Sequence, residues 1–183
     1  RALCIYGDAG WGGEVARGKY ETGLFSDALV EAAARLIREK WKPGPPPEWV
    51  TVVPSLKHPV LISDFARRLA EKLGLPFLPV IHKRRENHPQ KEMQSSALQL
   101  HNLLGAFDVA REKPSGVVPQ AVWRAERLVG HVNPGAIPSS PVLLVDDVVD
   151  SGWTLTLLAV MLRQHGSGPV YPFALAKASP RGS

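Results

Sequence analysis

The segment from Val142 to Thr154 constrains the fold of this chain more than any other. Val142-Leu143-Leu144-Val145 is continuously apolar, the pattern of a strand buried on both faces, as in parallel sheets covered by helices. Asp146 and Asp147 follow, where that strand is expected to end. A turn with Asp150, Ser151, Gly152, Trp153 and Thr154 comes next, and then Leu155, Leu157, Leu158, Met161 and Leu162 recur at helical spacing. Ligands of open α/β sheets bind outside the carboxyl ends of the strands. A helix N-terminus offers free N–H groups to an anion. The segment therefore describes a pocket with carboxylates for a diol on one side and donors for a phosphate on the other. A sugar phosphate satisfies both.

The remaining elements are expected around this strand. Residues from Arg1 to Tyr20 carry Gly7, Gly10, Gly12, Gly13 and Gly18 without a GxxxxGK[ST] phosphate loop, and are read as an irregular cap or hairpin. Ser26 or Asp27 caps a helix running to about Lys40, with Leu29, Ala33, Leu36 and Ile37 on one face. Pro43-Gly44-Pro45-Pro46-Pro47 ends it. Val50 to Val53 reads as a buried strand, Pro54 to Pro59 as the loop at its carboxyl end, and Ile62, Phe65, Leu69 and Leu73 as a helical core stripe stopped by Gly74. A strand over Phe77 to Ile81 would complete a βαβ unit, whose crossover implies a parallel sheet. His82 to Gln94 is polar and basic and is read as a long loop. A short helix is expected over Ser95 to Leu104, then a short strand from Gly105-Ala106-Phe107 through Val109. Val170 to Leu175 closes the sheet. Ala110 to Pro141 carries no clear pattern beyond a short helix around Val122, Trp123 and Leu128, and is long for a loop. Together these elements predict a three-layer α/β fold, with a mostly parallel central sheet of about five strands and helices on both faces.

Bulk properties exclude several classes. The chain has 183 residues, 44% hydrophobic and 21% charged, a globular composition with enough length for a sizeable core. No apolar run approaches the roughly 18 residues of a membrane span, and no basic-then-apolar start resembles a signal peptide. Cys4 is the only cysteine, so a disulfide framework or a cysteine-based zinc site cannot form within the chain, and the six histidines lack paired zinc spacing. The cytoplasm is the expected location. A net charge of +5 is compatible with phosphate-rich ligands or nucleic acid. The chain opens on Arg1 and ends on Ala178-Ser179-Pro180-Arg181-Gly182-Ser183. This suggests one compact unit excised from a longer chain: a cap, helix and Pro-rich linker over 1–48, the main domain over 49–176 and a mobile tail over 177–183.

The run Asp146-Asp147-Val148-Val149-Asp150-Ser151-Gly152-Trp153-Thr154 resembles the phosphoribosyl-pyrophosphate (PRPP) motif of type I phosphoribosyltransferases. Lys19-Tyr20, Pro89-Gln90 and Asn102-x-x-Gly105-Ala106-Phe107 are similar to the ComF-like branch of that family. The wider pattern resembles the phosphoribosyltransferase-like C-terminal domain of bacterial RecQ-like DNA helicases. That likeness rests on Gly7-Asp8-x-Gly10-Trp11-Gly12, Val53 to Pro59, Pro89-Gln90-Lys91-x-x-Gln94 and Asp150 to Thr154. The resemblance implies that Asp146 and Asp147 hold the ribose hydroxyls and that Asp150, Ser151, Gly152, Trp153 and Thr154 hold the 5′-phosphate. It places Ser55, Leu56, Lys57 and His58 in the pyrophosphate loop, and Lys83, Arg84 and Lys91 in a flexible loop over the reaction centre. It implies Mg²⁺ held by the substrate diphosphate, with no metal ligand from the protein expected.

The sequence departs from the family at three points. Trp153 stands where a smaller residue is usual, Gln99 stands where ComF-type proteins carry arginine, and no segment is recognisable as a base-selecting hood. Three functions stay open. The chain transfers phosphoribosyl from PRPP to an unidentified base with release of pyrophosphate, or it senses PRPP or a nucleotide without turnover. As the third, it is a DNA-interaction module of repair or uptake machinery, touching DNA through a basic face or the parent helicase. With no Walker A sequence, the chain is not itself a helicase motor.

Overall fold

The computed structural model describes residues 1–7, 9–84, 105–109 and 137–179. The central sheet has four parallel strands: β1 (Ala2–Ile5), β2 (Trp49–Val52), β5 (Val142–Val149) and β6 (Val170–Lys177), in the order β1-β6-β5-β2. A separate antiparallel pair is formed by β3 (Ile81–Lys83) and β4 (Phe107–Val109). The helices are α1 (Gly10–Arg17), α2 (Asp27–Arg35), α3 (Leu61–Leu73) and α4 (Trp153–Gln164). The first two run on as π-helical turns, Gly18–Thr22 and Leu36–Trp41.

The continuous apolar run of β5 has a direct cause. Side chains alternate across a strand, so Leu143 and Val145 point into a core with α2 and α3, while Val142 and Leu144 point into a second core with α4. Both faces are dry, and all four residues are fully buried. The first core also holds Val50, Val52, Phe173 and Leu175, against Leu29 and Ala33 of α2, Ile37 of the π-helical turn that follows it, and Ile62, Phe65 and Leu69 of α3. The second holds Leu155, Leu158 and Leu162, with Ile81, Phe107 and Val109 from the small sheet. Helix-covered faces on a parallel sheet make the architecture three-layer α/β.

Several local expectations hold for identifiable reasons. Ser26 caps α2, its Oγ accepting from the Leu29 amide at 3.4 Å. Gly74 ends α3 in the left-handed conformation at φ 73°, its amide returning to the Ala70 and Glu71 carbonyls. Phe107–Val109 is the short strand expected after Gly105.

Other elements differ. Among the described residues the sheet has four strands rather than about five: Phe77 to Ile81 does not form a full strand and Phe107–Val109 lies in the separate pair, while β1 joins at the edge. Only a parallel bridge joins Phe77 to Val50, with the Leu78 amide donating to the Val50 carbonyl at 2.9 Å. The next rung would need the Val80 amide, which instead closes on the Leu78 carbonyl at 2.9 Å in a tight turn centred on Pro79, and the chain leaves the sheet. His82 and Lys83, expected in a loop, belong to β3. Arg1 to Tyr20 is not an irregular cap: β1 pairs with β6 from Ala2↔Ala174 to Ile5↔Lys177, and α1 follows it. Gly12 allows that helix to lie against the preceding turn, since a Cβ there would stand 2.4 Å from the Ile5 carbonyl oxygen. The tail begins fixed, with the Ala178 amide bonded to the Val149 carbonyl and Ser179 Oγ donating to the Tyr6 carbonyl. The helices expected over Ser95 to Leu104 and around Val122, Trp123 and Leu128 lie outside the described residues, as does Gln99.

Candidate functional site

The carboxylates sit inside a strand rather than at its end. β5 continues through Asp146 and Asp147 to Val149, because β6 pairs with it along its whole length, from Val142↔Val170 to Val149↔Lys177. Its other neighbour stops sooner. The register of β2 ends at Val52↔Val145, and one further bond runs from the Val53 amide to the Val145 carbonyl before Pro54 diverts the chain. The β2-facing edge of the strand is therefore uncovered by sheet from Asp146 onward. The Asp147 amide, freed there, donates to Asp146 Oδ1 at 2.8 Å, and the Val148 amide donates to Asp147 Oδ1 at 2.6 Å. Both carboxyls are thus fixed against their own backbone, at the edge where one strand has left.

Lys19 completes this arrangement. Its Nζ lies 2.6 Å from Asp147 Oδ2, with both side chains about one-fifth exposed at 20%. Asp146 has its carboxyl pushed well above the ordinary carboxylate range, first by burial and then by the negative charge of Asp147, with a hydrogen bond between the two carboxyls acting in the same direction. The Asp147 amide and Lys19 oppose that shift without cancelling it. Burial and the neighbouring Asp147 both favour the protonated form of Asp146, while the Lys19 Nζ lies against Asp147. Such a trio offers an acid proton, carboxylate acceptors and a cation within one small volume.

The position of Lys19 follows from packing below it. Gly18 is buried, and a Cβ on it would stand 2.6 Å from Phe25 Cδ1. Only glycine lets the π-helical turn settle on that ring. Phe25 is itself fully buried, edge-on to Phe65 with ring centroids 5.8 Å apart. Arg68 locks the region from α3, donating to the Phe25 carbonyl at 2.6 Å and to Asp27 and Asp64 at 2.8 Å each. π-turns inside helices are frequent at functional sites. Here the turn aims a lysine at the central strand.

The turn after β5 has anion-site geometry. Asp150 and Ser151 are exposed, and Gly152 stands at the N-cap of α4 with φ 81°, a conformation that strains any residue with a Cβ. The helix has no side-chain cap and no acid in its first turn. The N–H groups of Trp153, Thr154 and Leu155 thus have no intrahelical acceptor, as at any helix start. Trp153 packs against the core on the α4 face, so its bulk is directed into the protein rather than across the turn. That removes the steric objection to a large residue between Gly152 and Thr154.

The loop from Pro54 to Pro59 leaves β2 beside the uncovered edge of β5. Its Ser55 Oγ accepts from the His58 amide at 3.1 Å, which folds the loop back on itself. Leu56 and Lys57 are exposed, Ser55 and His58 half-buried. Sheet order therefore brings this loop, the two aspartates and the Gly152 turn to the same carboxyl-terminal edge. Lys83 and Arg84 are engaged elsewhere: the Lys83 ammonium lies 5.6 Å from the Phe107 ring centroid, and Arg84 pairs with Asp108 and donates its amide to the Ala106 carbonyl. Arg84 holds the Asp108 carboxyl below its usual range. Lys91 lies outside the described residues.

Lys19 was not assigned to the site from sequence. It appeared only as half of the Lys19-Tyr20 pair, and no periodicity connects it to an aspartate so distant in the chain. Among the described residues, no group of three or more His, Cys, Asp or Glu side chains is placed to hold a metal ion, and no helix is long and apolar enough to cross a membrane. No protein-family model and no curated protein matches the chain.

Proposed function

We propose that this chain is a type I phosphoribosyltransferase-like domain that binds PRPP. The observation that carries the reading is the Asp146–Asp147–Lys19 trio at the uncovered edge of the central strand, a short turn from the uncapped N-terminus of α4. Asp146 and Asp147 would take the ribose 2′- and 3′-hydroxyls, each of which is both donor and acceptor and so suits an acid–carboxylate pair. Asp150 to Thr154 would take the 5′-phosphate, through the backbone N–H groups of the turn and the Ser151 and Thr154 hydroxyls. The Ser55 to His58 loop would face the diphosphate, with Lys57 as a point charge. Mg²⁺ riding on that diphosphate would supply charge neutralisation there, and fits a site whose carboxylates are occupied with the ribose.

In the transferase form of this reading, pyrophosphate leaves C1 of the ribose as a base attacks, through an oxocarbenium-like transition state. Such a step needs positioned donors and charge rather than a nucleophilic side chain. In the sensing form the same contacts hold PRPP or a nucleotide without turnover. We place the domain in the cytoplasm, working with a RecQ-like helicase through which it meets DNA in repair or uptake.

Calorimetric titration with PRPP and Mg²⁺ tests the site. Asp147→Asn should weaken binding by about 1–3 kcal/mol through loss of charge-assisted hydrogen bonds. Equal affinity in the variant, or no binding to the wild type, rejects the reading. Pyrophosphate release across a panel of bases separates transferase from sensor. Single-stranded DNA that binds no tighter than a neutral polymer, and leaves PRPP binding unchanged, removes the DNA part.

A further inference from the structure

The ion pair between Lys19 and Asp147 raises a problem for any diol that enters the site. Asp147 already accepts from the Val148 amide through one oxygen and from the Lys19 ammonium through the other. A diol reaching for that carboxylate competes with the lysine for its outer oxygen. A ligand with no anion at C1 that wins leaves the ammonium of a side chain only 20% exposed without its direct ion-pair partner. An unpaired cation in such a place is costly. A ligand that brings its own anion removes that cost by giving the ammonium a new partner. The long, flexible stem of lysine makes such a transfer possible without moving the helix.

We propose that Lys19 is a specificity-determining residue of this site: it closes on Asp147 when the site is empty and swings to the anionic group at C1 of the ligand when a diol takes its place. The inference rests on the PRPP-site reading and deepens it. The 5-phosphate is served by the N-terminus of α4, which leaves the C1 diphosphate as the group for which Lys19 is free. The chain invests specifically in holding this lysine, through a buried glycine, a π-helical turn and a fully buried phenylalanine beneath it. The lysine thereby pairs with Asp147 in the empty site and makes the occupied site selective for diphosphate over hydroxyl at C1.

The test compares two ligands on three proteins. Calorimetry with Mg²⁺ measures PRPP and ribose 5-phosphate, which share the diol and 5-phosphate and differ at C1. The wild type should prefer PRPP. Lys19→Met should lower PRPP affinity about tenfold or more while leaving ribose 5-phosphate unchanged or somewhat tighter, so that the preference collapses. Lys19→Arg should keep the preference within threefold, because the charge is retained. A circular-dichroism spectrum and melting curve for each variant establish folding. Equal loss for both ligands makes Lys19 a general structural support and overturns the inference. Tighter binding of both ligands to Lys19→Met makes it a mere plug and does the same. A wild type that binds PRPP with Lys19→Met unchanged removes this inference and leaves the site reading standing. A wild type that binds neither ligand removes both.

Discussion

Replacing Gly18 with alanine sets two magnitudes against each other. Gly18 has φ −55° and ψ −42°, so alanine fits the backbone without strain, and in an exposed helix it would stabilise by up to about 1 kcal/mol. Packing opposes this. The new Cβ would stand 2.6 Å from Phe25 Cδ1 and 3.1 Å from the Leu24 carbonyl oxygen, where carbon–carbon contacts settle near about 3.5–4.0 Å. Roughly an ångström of overlap must be relieved by a ring that is fully buried and set edge-on to Phe65. Overpacking of this kind costs about 1–3 kcal/mol. The steric effect should win, leaving Gly18→Ala less stable by about 1 kcal/mol in urea unfolding, with an unchanged slope. In a Phe25→Leu background the ring edge is gone, and the same substitution should cost less, a coupling readable in a double-mutant cycle. PRPP affinity should fall as well, because the turn that carries Lys19 is displaced. An alanine variant as stable as the wild type, or more so, refutes the packing account of the lysine's position.

Asp146→Asn should raise the melting temperature at neutral pH, because asparagine keeps the acceptor for the Asp147 amide without a charge to bury. A folded-state pKa raised above the unfolded value means that the wild type loses stability as pH rises through the folded value. The advantage of the variant should therefore grow with pH from about pH 4 upward and vanish below it; a pH-independent difference contradicts the assignment. Thr51→Val tests the one fully buried hydroxyl that finds no hydrogen-bond partner among the described residues. This near-isosteric change should stabilise by about 1–2 kcal/mol in urea unfolding, and a loss of stability would mean that the hydroxyl is satisfied. Arg68→Ala should destabilise by about 2 kcal/mol, since the Phe25 carbonyl and the Asp64 carboxylate lose a shared donor; a change under 0.5 kcal/mol in the same assay contradicts the bracing role.

Much of the fold was legible because the relevant signals are local. Val142 to Val145 declares a doubly buried strand through composition alone, and Leu155, Leu158 and Leu162 declare the covering helix through their spacing. Ser26 and Gly74 mark their helix ends through chemistry that acts within a few residues. The strand expected over Phe77 to Ile81 fails for an equally local reason: its apolar residues suggest a strand, but a tight turn at Pro79 takes the Val80 amide back to the Leu78 carbonyl. The length of β5 was not legible, because a residue such as Asp146 stays in a strand only if a partner pairs with it. That partner, β6, lies beyond the following helix.

The sequence alone determined that two adjacent carboxylates and a Ser-Gly-x-Thr turn stand between a buried strand and a helix, since covalent order places them within a few residues of one another. It determined the parallel, helix-covered character of the sheet, since hydrophobic burial on two faces leaves that imprint on composition. Only the tertiary structure decided that β2 departs at Pro54, baring one edge of β5 from Asp146 onward. Only packing decided that Lys19, carried on a turn resting on Phe25, closes on Asp147. Charge pairing acts through space, and no local pattern records which distant ammonium a carboxylate will meet.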